Sequence, residues 1–195
     1  MSFRVAFTLE GDKELIEALR NLSGHKVDRA VNIGMGKLKA KTRTAMKQAF
    51  TARYNVSSAE VNKRIGKPRL TRENGVPVLQ IYGNAKPISA RLFKPSMGIR
   101  HKNKQNVRFR IFKGGKYIQP ARGFRQPTFA QGKPMMRLGD SRLPIKSLGG
   151  PSFHAAFTGG KFGKQMTAEV QRKTLPTLTR ETKAAIKGLA KGYIR

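Results

Sequence analysis

Between Glu73 and Asp140 the chain carries no acidic residue, yet that interval holds Lys86, Arg91, Lys94, Arg100, Lys102, Lys104, Arg108, Arg110, Lys113, Lys116, Arg122, Arg125, Lys133 and Arg137. A run of one sign repels itself, and an unpaired cation is too costly to bury in an apolar core. The interval can fold only as something with one face in water or against an anion. Alternating strands meet that demand, because successive side chains point to opposite faces. The apolar residues follow that period. Val76, Val78, Leu79 and Ile81 form one expected strand, and Ile88, Ala90, Leu92 and Phe93 another. Val107–Phe112, then Lys113-Gly114-Gly115-Lys116, then Tyr117-Ile118 reads as the clearest hairpin, with the glycines supplying positive φ in a tight turn. Arg108 and Arg110 then share one face, opposite Val107, Phe109 and Ile111. Gly123–Phe129 and Met135–Leu138 suggest a further pair around Gln131-Gly132, while residues 97–106 hold little apolar content and read as a loop or mobile flap.

The flanks have a different period. Phe3, Val5, Phe7 and Leu9 alternate as in a half-buried strand, and Gly11 breaks it. Asp12 is placed to cap a short helix through Leu15, Ile16, Leu19 and Leu22, with Glu14 and Glu17 at its positive end. From about Val27 to Ala52 the residues Val27, Val31, Gly34, Leu38, Ala45 and Ala49 fall near helical spacing. Gly34 and Gly36 either weaken that helix or admit a second backbone at close range. Ser57 and Glu60 fit a capping box opening a short helix that carries Val61 and Ile65, with Gly66 and Pro68 as its stop. Met166, Val170, Leu178, Ala185 and Leu189 predict a last helix, interrupted near Pro176.

The expected fold class is therefore α+β: an antiparallel or mixed sheet core in the middle of the chain, with a long N-terminal helix and a C-terminal helix packed on it. One domain suits 195 residues. Within it, residues 1–66 read as a strand plus helices, 75–148 as a basic β-rich region and 151–195 as a helical segment.

Across the whole chain, 41 Lys and Arg face 10 Asp and Glu, a formal charge of +31. Internal pairs cannot cancel that excess, so the expected partner is an anion, and nucleic acid leads through counterion release from its phosphates. No stretch approaches the roughly 20 apolar residues of a spanning helix, so no membrane partner is expected. The N-terminal MSFRVAFTLEGDKE reads as a folded strand rather than a signal peptide. Cysteine is absent, which excludes disulfides and thiolate metal ligands.

Catalytic chemistry is poorly supplied. Gly159-Gly160-Lys161-Phe162-Gly163-Lys164 invites comparison with a phosphate loop, but aligning on Gly163-Lys164 puts Thr158 and Gln165 where Gly and Ser or Thr are required. A flexible linker between helices is the better reading. His25, His101 and His154 form no metal pair, and Ser152 after Gly150-Pro151 reads as a helix cap rather than a nucleophile. The basic interval lacks the clustered carboxylates a Mg²⁺ nuclease needs, and Asp140 between Arg137 and Arg142 reads as a turn residue with an arginine partner. No enzyme activity, cofactor or metal is expected. Zinc-finger, leucine-zipper and RNA-recognition signatures are also missing, which leaves a basic β-surface that meets phosphates without reading bases.

The second half carries a larger pattern. Ile88 to Phe93, with Arg91-Leu92-Phe93, leads into the basic segment with Gly114-Gly115, then Gly123-Phe124, then Arg142-Leu143-Pro144-Ile145-Lys146-Ser147-Leu148-Gly149-Gly150-Pro151-Ser152. Tyr54-Asn55-Val56 and Lys63-Arg64-Ile65 agree more loosely. In these residues the chain resembles the minor tail protein Z family of lambda-like tailed phages, which act in tail completion. The resemblance implies a virion protein at the head-proximal end of a tail, in the neck, assembled in the host cytoplasm as a ring with other tail or neck proteins. Six copies are expected by analogy with tail tubes, with twelve as the alternative. A ring around a DNA channel would give the charge a purpose. Arg100, Lys102, Lys104, Arg108, Arg110, Lys113 and Lys116 are the expected lumen-facing residues, meeting phage DNA through nonspecific phosphate contacts. Glu10, Asp12, Glu14 and Glu17 are the expected subunit contact, meeting a basic edge of the next copy. The competing reading is a free, sequence-nonspecific nucleic-acid-binding protein, chromatin-like or ribosome-associated.

Overall fold

The computed structural model describes residues 2–5, 24–73, 76–93, 97–101, 104–120, 122–124, 134–141 and 143–190. The elements run β1 (Ser2–Val5), α1 (Gly24–Arg53), α2 (Ser58–Asn62), β2 (Arg69–Glu73), β3 (Val76–Tyr82) and β4 (Pro87–Ser89). After a 3-10 turn at Ala90–Leu92 come β5 (Met97–His101), β6 (Lys104–Arg108), β7 (Gly123–Phe124), β8 (Met135–Arg137), β9 (Ile145–Ser147), β10 (Gly149–Ser152), α3 (Phe153–Thr158) and α4 (Gly160–Ala190). The chain is thus α+β, with a long N-terminal helix, small antiparallel sheets through the middle and a long C-terminal helix. It divides into two compact units, one of Met1–Met46, Gly66–Gly83 and Phe157–Arg195, the other of Lys47–Ile65 and Asn84–Ala156.

In the first unit β1, β3 and β2 form an antiparallel sheet in that order. Met35 and Leu38 of α1, Leu79 of β3 and Leu178 of α4 share one buried cluster, so both long helices cover this sheet. A second cluster joins Ala30 of α1 to Ala185, Ile186 and Leu189 of α4. The helices run antiparallel: Lys37 Nζ reaches Glu181 at 2.8 Å, and Lys41 Nζ reaches Thr177 at 3.3 Å. Small residues allow the approach. A Cβ on Gly34 would lie 2.4 Å from Thr182 Oγ1 and 3.2 Å from its backbone nitrogen. Gly34 therefore serves the close backbone approach anticipated for it. The buried Thr42 and Thr174 hydroxyls turn back onto the carbonyls of Leu38 and Val170.

The second unit holds the five-stranded sheet β5-β6-β7-β8-β9 and the pair β10-β4, antiparallel throughout. Its core is aromatic. Phe50 stacks on Tyr54 at 4.4 Å and on Phe153 at 5.2 Å, and Phe93 lies 6.4 Å from Phe109. Burial pushes the Tyr54 hydroxyl above its ordinary range, against the opposing pull of Arg53. Ser57 caps α2 by accepting the Glu60 amide, as its capping-box spacing predicted.

Several expectations are corrected. Of the stretch 97–106, read as a loop or mobile flap, Met97–His101 form β5 and 104–106 belong to β6, with Gly98 opposite Val107 and Arg100 opposite Gln105, while 102 and 103 lie outside the described residues. Backbone pairing supplies the order there, so sparse apolar content was a poor guide. The expected hairpin across Gly114-Gly115 shrinks to one antiparallel bridge, Phe109 with Ile118. Only Gly114 takes positive φ, 69°, while the Gly115 amide donates to Phe112 O. Phe112 bridges Tyr54 instead, because the chain beyond α1 competes for the same backbone: Asn55 N donates to Ile111 O at 2.8 Å and Lys113 N to Arg53 O at 2.9 Å. The strand expected over Ile88–Phe93 ends at Ser89 and becomes a 3-10 turn. α4 passes through Pro176 without interruption. Pro176 is exposed, so the carbonyl it leaves without a donor can turn to water. Finally, the linker expected over 159–164 shrinks to Gly159 alone, between α3 and α4. Gly160, at φ 51°, opens α4, and a Cβ on Gly163 would lie 2.8 Å from Phe157 O.

Candidate nucleic-acid interface

The second unit contains two acids, Glu60 and Asp140, and both are already engaged. Glu60 holds Arg64 at 3.2 Å and Lys63 at 3.7 Å on the adjoining helical turn. Asp140 holds Arg122 at 2.6 Å, a partner farther along the chain than the flanking arginines. Among the described residues neither carboxylate pairs with Arg108 or Arg110.

The Phe109–Ile118 bridge decides where two of those cations go. It puts Phe109 inward, 2% exposed, so Arg108 and Arg110 project to the opposite face. The same register sets Tyr117 across from Arg110 and diagonal to Arg108. Both guanidiniums settle on that ring: Arg108 Cζ lies 4.2 Å from its centroid and Arg110 Cζ 4.7 Å. Together these distances hold the guanidinium carbons no more than about 9 Å apart, so the two like charges repel by at least roughly 2 kcal/mol at an effective dielectric of ~20. Two partly exposed cation–π contacts return about 1–2 kcal/mol. The ring contacts by themselves do not outweigh that repulsion, and a bound anion would relieve it. Arg110 Nε is buried and has no hydrogen-bond partner among the described residues.

Of the other expected lumen-facing residues, Arg100 falls on β5 and Lys104 on β6 opposite His101. Lys113 and Lys116 are exposed in the turn between Phe109 and Ile118, and Lys102 lies outside the described residues. The four acids expected at a subunit contact, Glu10, Asp12, Glu14 and Glu17, also lie outside them. Tyr117 escaped the sequence reading. An aromatic interleaved with arginines was the available signal, but its pairing needed the register.

Ser152, weighed as a helix cap against a nucleophile, caps a helix. Ser152 Oγ accepts the Ala155 amide at 3.0 Å, capping α3, and the His154 amide donates to Asn84 O. The glycines of the Arg142–Ser152 stretch are packing glycines. A Cβ on Gly150 would lie 2.5 Å from Phe93 Cζ, and one on Gly149 2.9 Å from Ile88 O. Among the described residues no three His, Cys, Asp or Glu side chains converge, and no helix is long and apolar enough to cross a membrane. No family model, curated protein or solved structure matches the chain.

Proposed function

We propose that the chain is a structural subunit of a tailed-phage virion, a tail-completion or neck component that forms a ring and meets DNA through phosphate contacts. The observation that carries this reading is that Arg108 and Arg110 gather on the Tyr117 ring while both acids of the second unit are engaged by other residues, which leaves these two guanidiniums open to an external anion. Phosphate is the densest such partner, and contact with it needs no base readout. The assembly part of the reading rests on the tail-protein resemblance from Ile88 to Ser152. In that stretch Gly150 receives the Phe93 ring, so the two ends of the pattern pack on each other. The role is non-catalytic.

Light scattering of the purified protein, with and without a 30-bp duplex of arbitrary sequence over 50–300 mM salt, tests both parts. A particle of six protomer masses is expected, together with a log–log salt slope of about −0.9 per phosphate contacted. A monomer with the same slope would overturn the ring and leave a free nucleic-acid-binding protein. Salt-independent or absent binding would overturn the DNA contact.

A further inference from the structure

The geometry points to the Arg108–Tyr117–Arg110 group as a phosphodiester receptor, in which Tyr117 positions two guanidiniums for adjacent phosphates of one nucleic-acid strand. This assignment rests on the DNA-contact reading above and names the place where the contact is made.

Three observations converge on it. Both guanidiniums lie within 4.7 Å of one ring centroid, so two flexible cations are already gathered at one place, and an anion there would relieve their repulsion. Both side chains are partly exposed, and the guanidinium fork suits phosphate oxygens where an ammonium offers only a point charge. The second observation is the Arg110 Nε–H, which has lost water and gained no acceptor among the described residues. Buried donors are nearly always satisfied, so this orphan marks a guanidinium whose hydrogen bonding is incomplete within the described residues. The third is the engagement of Glu60 and Asp140, the acids of the second unit, by residues other than Arg108 and Arg110. With its ring already occupied by two guanidiniums, Tyr117 contributes position rather than base stacking, and the contact is indifferent to sequence.

Binding of a 30-bp duplex by the full chain, followed by fluorescence anisotropy across a salt series, is the test. Tyr117→Leu keeps the charge but frees both arginines, and is expected to weaken binding about five- to tenfold. Tyr117→Phe keeps the ring and should bind like the parent. Arg108→Lys with Arg110→Lys should weaken binding at unchanged salt slope, whereas the double Ala variant should lower the slope by about two. Should Tyr117→Leu fail to fold, the double Lys variant, conservative at partly exposed positions, carries the test. Parental affinity in Tyr117→Leu and the double Lys variant, beside a steep parental salt slope, overturns the receptor and leaves the DNA contact standing. A parent that binds polyglutamate but no duplex overturns the nucleic-acid reading itself.

Discussion

The contact between Gly34 and Thr182 offers a prediction in which two opposed effects can be weighed. Gly34→Ala should gain about 1 kcal/mol of helix propensity in the middle of α1. Against this, the new methyl would lie 2.4 Å from Thr182 Oγ1, a separation that real Cβ atoms essentially never show, with the Thr182 nitrogen and Cα at 3.2 and 3.4 Å behind it. Overpacking of this kind costs about 1–3 kcal/mol, so the single variant should be destabilised by about 0–2 kcal/mol. Thr182 is 1% exposed and its hydroxyl has no hydrogen-bond partner among the described residues. Thr182→Ala therefore loses about 1 kcal/mol of methyl burial, recovers the similar or larger cost of an unsatisfied hydroxyl, and should be near neutral. In that background Gly34→Ala meets only the tight backbone contacts and should no longer destabilise. Urea unfolding of the four proteins, followed by far-UV circular dichroism, should give a favourable coupling of about 1–3 kcal/mol. Additivity within about 0.5 kcal/mol would refute the close approach of α1 and α4 at this point.

Gly150→Ala should destabilise by about 1–3 kcal/mol in the same assay, since the Phe93 ring end at 2.5 Å is fully buried and has nowhere to go. Glu181 carries a pH dependence: hydrogen bonds from Lys37 and then Arg180 hold its carboxyl down to about 2, against an ordinary 4.5. Its contribution is fully present above about pH 4.5 and is lost as pH falls from there towards 2. Thermal melts between pH 6 and 2 should therefore show a smaller fall for Glu181→Gln than for the parent, and equal falls would refute the assignment.

How much of this was legible depended on the range of the interaction. α1, the Ser57 cap on α2, β3 and the Ser152 cap on α3 all follow from residues a few positions apart, through period and hydrogen-bonding geometry. The strands β5 and β6 were hidden, because backbone pairing holds together a segment with little apolar signal. The Gly114-Gly115 turn misled for the opposite reason. Its local signal was strong, but Asn55, just after α1, took the Ile111 carbonyl that a longer hairpin would have used.

Charge, the absence of an acid between Glu73 and Asp140, and the face shared by Arg108 and Arg110 were determined by the sequence alone, since composition and side-chain alternation need no long-range contact. Whether those arginines found a carboxylate, water or a ring was a matter for the tertiary structure. A single bridge between Phe109 and Ile118 brought Tyr117 beneath them, and the pairing of Asp140 with Arg122 removed the competing acid. The glycines of the Arg142–Ser152 stretch divide the same way: their presence signalled a turn, but only the Phe93 ring against Gly150 explains why a side chain is excluded there.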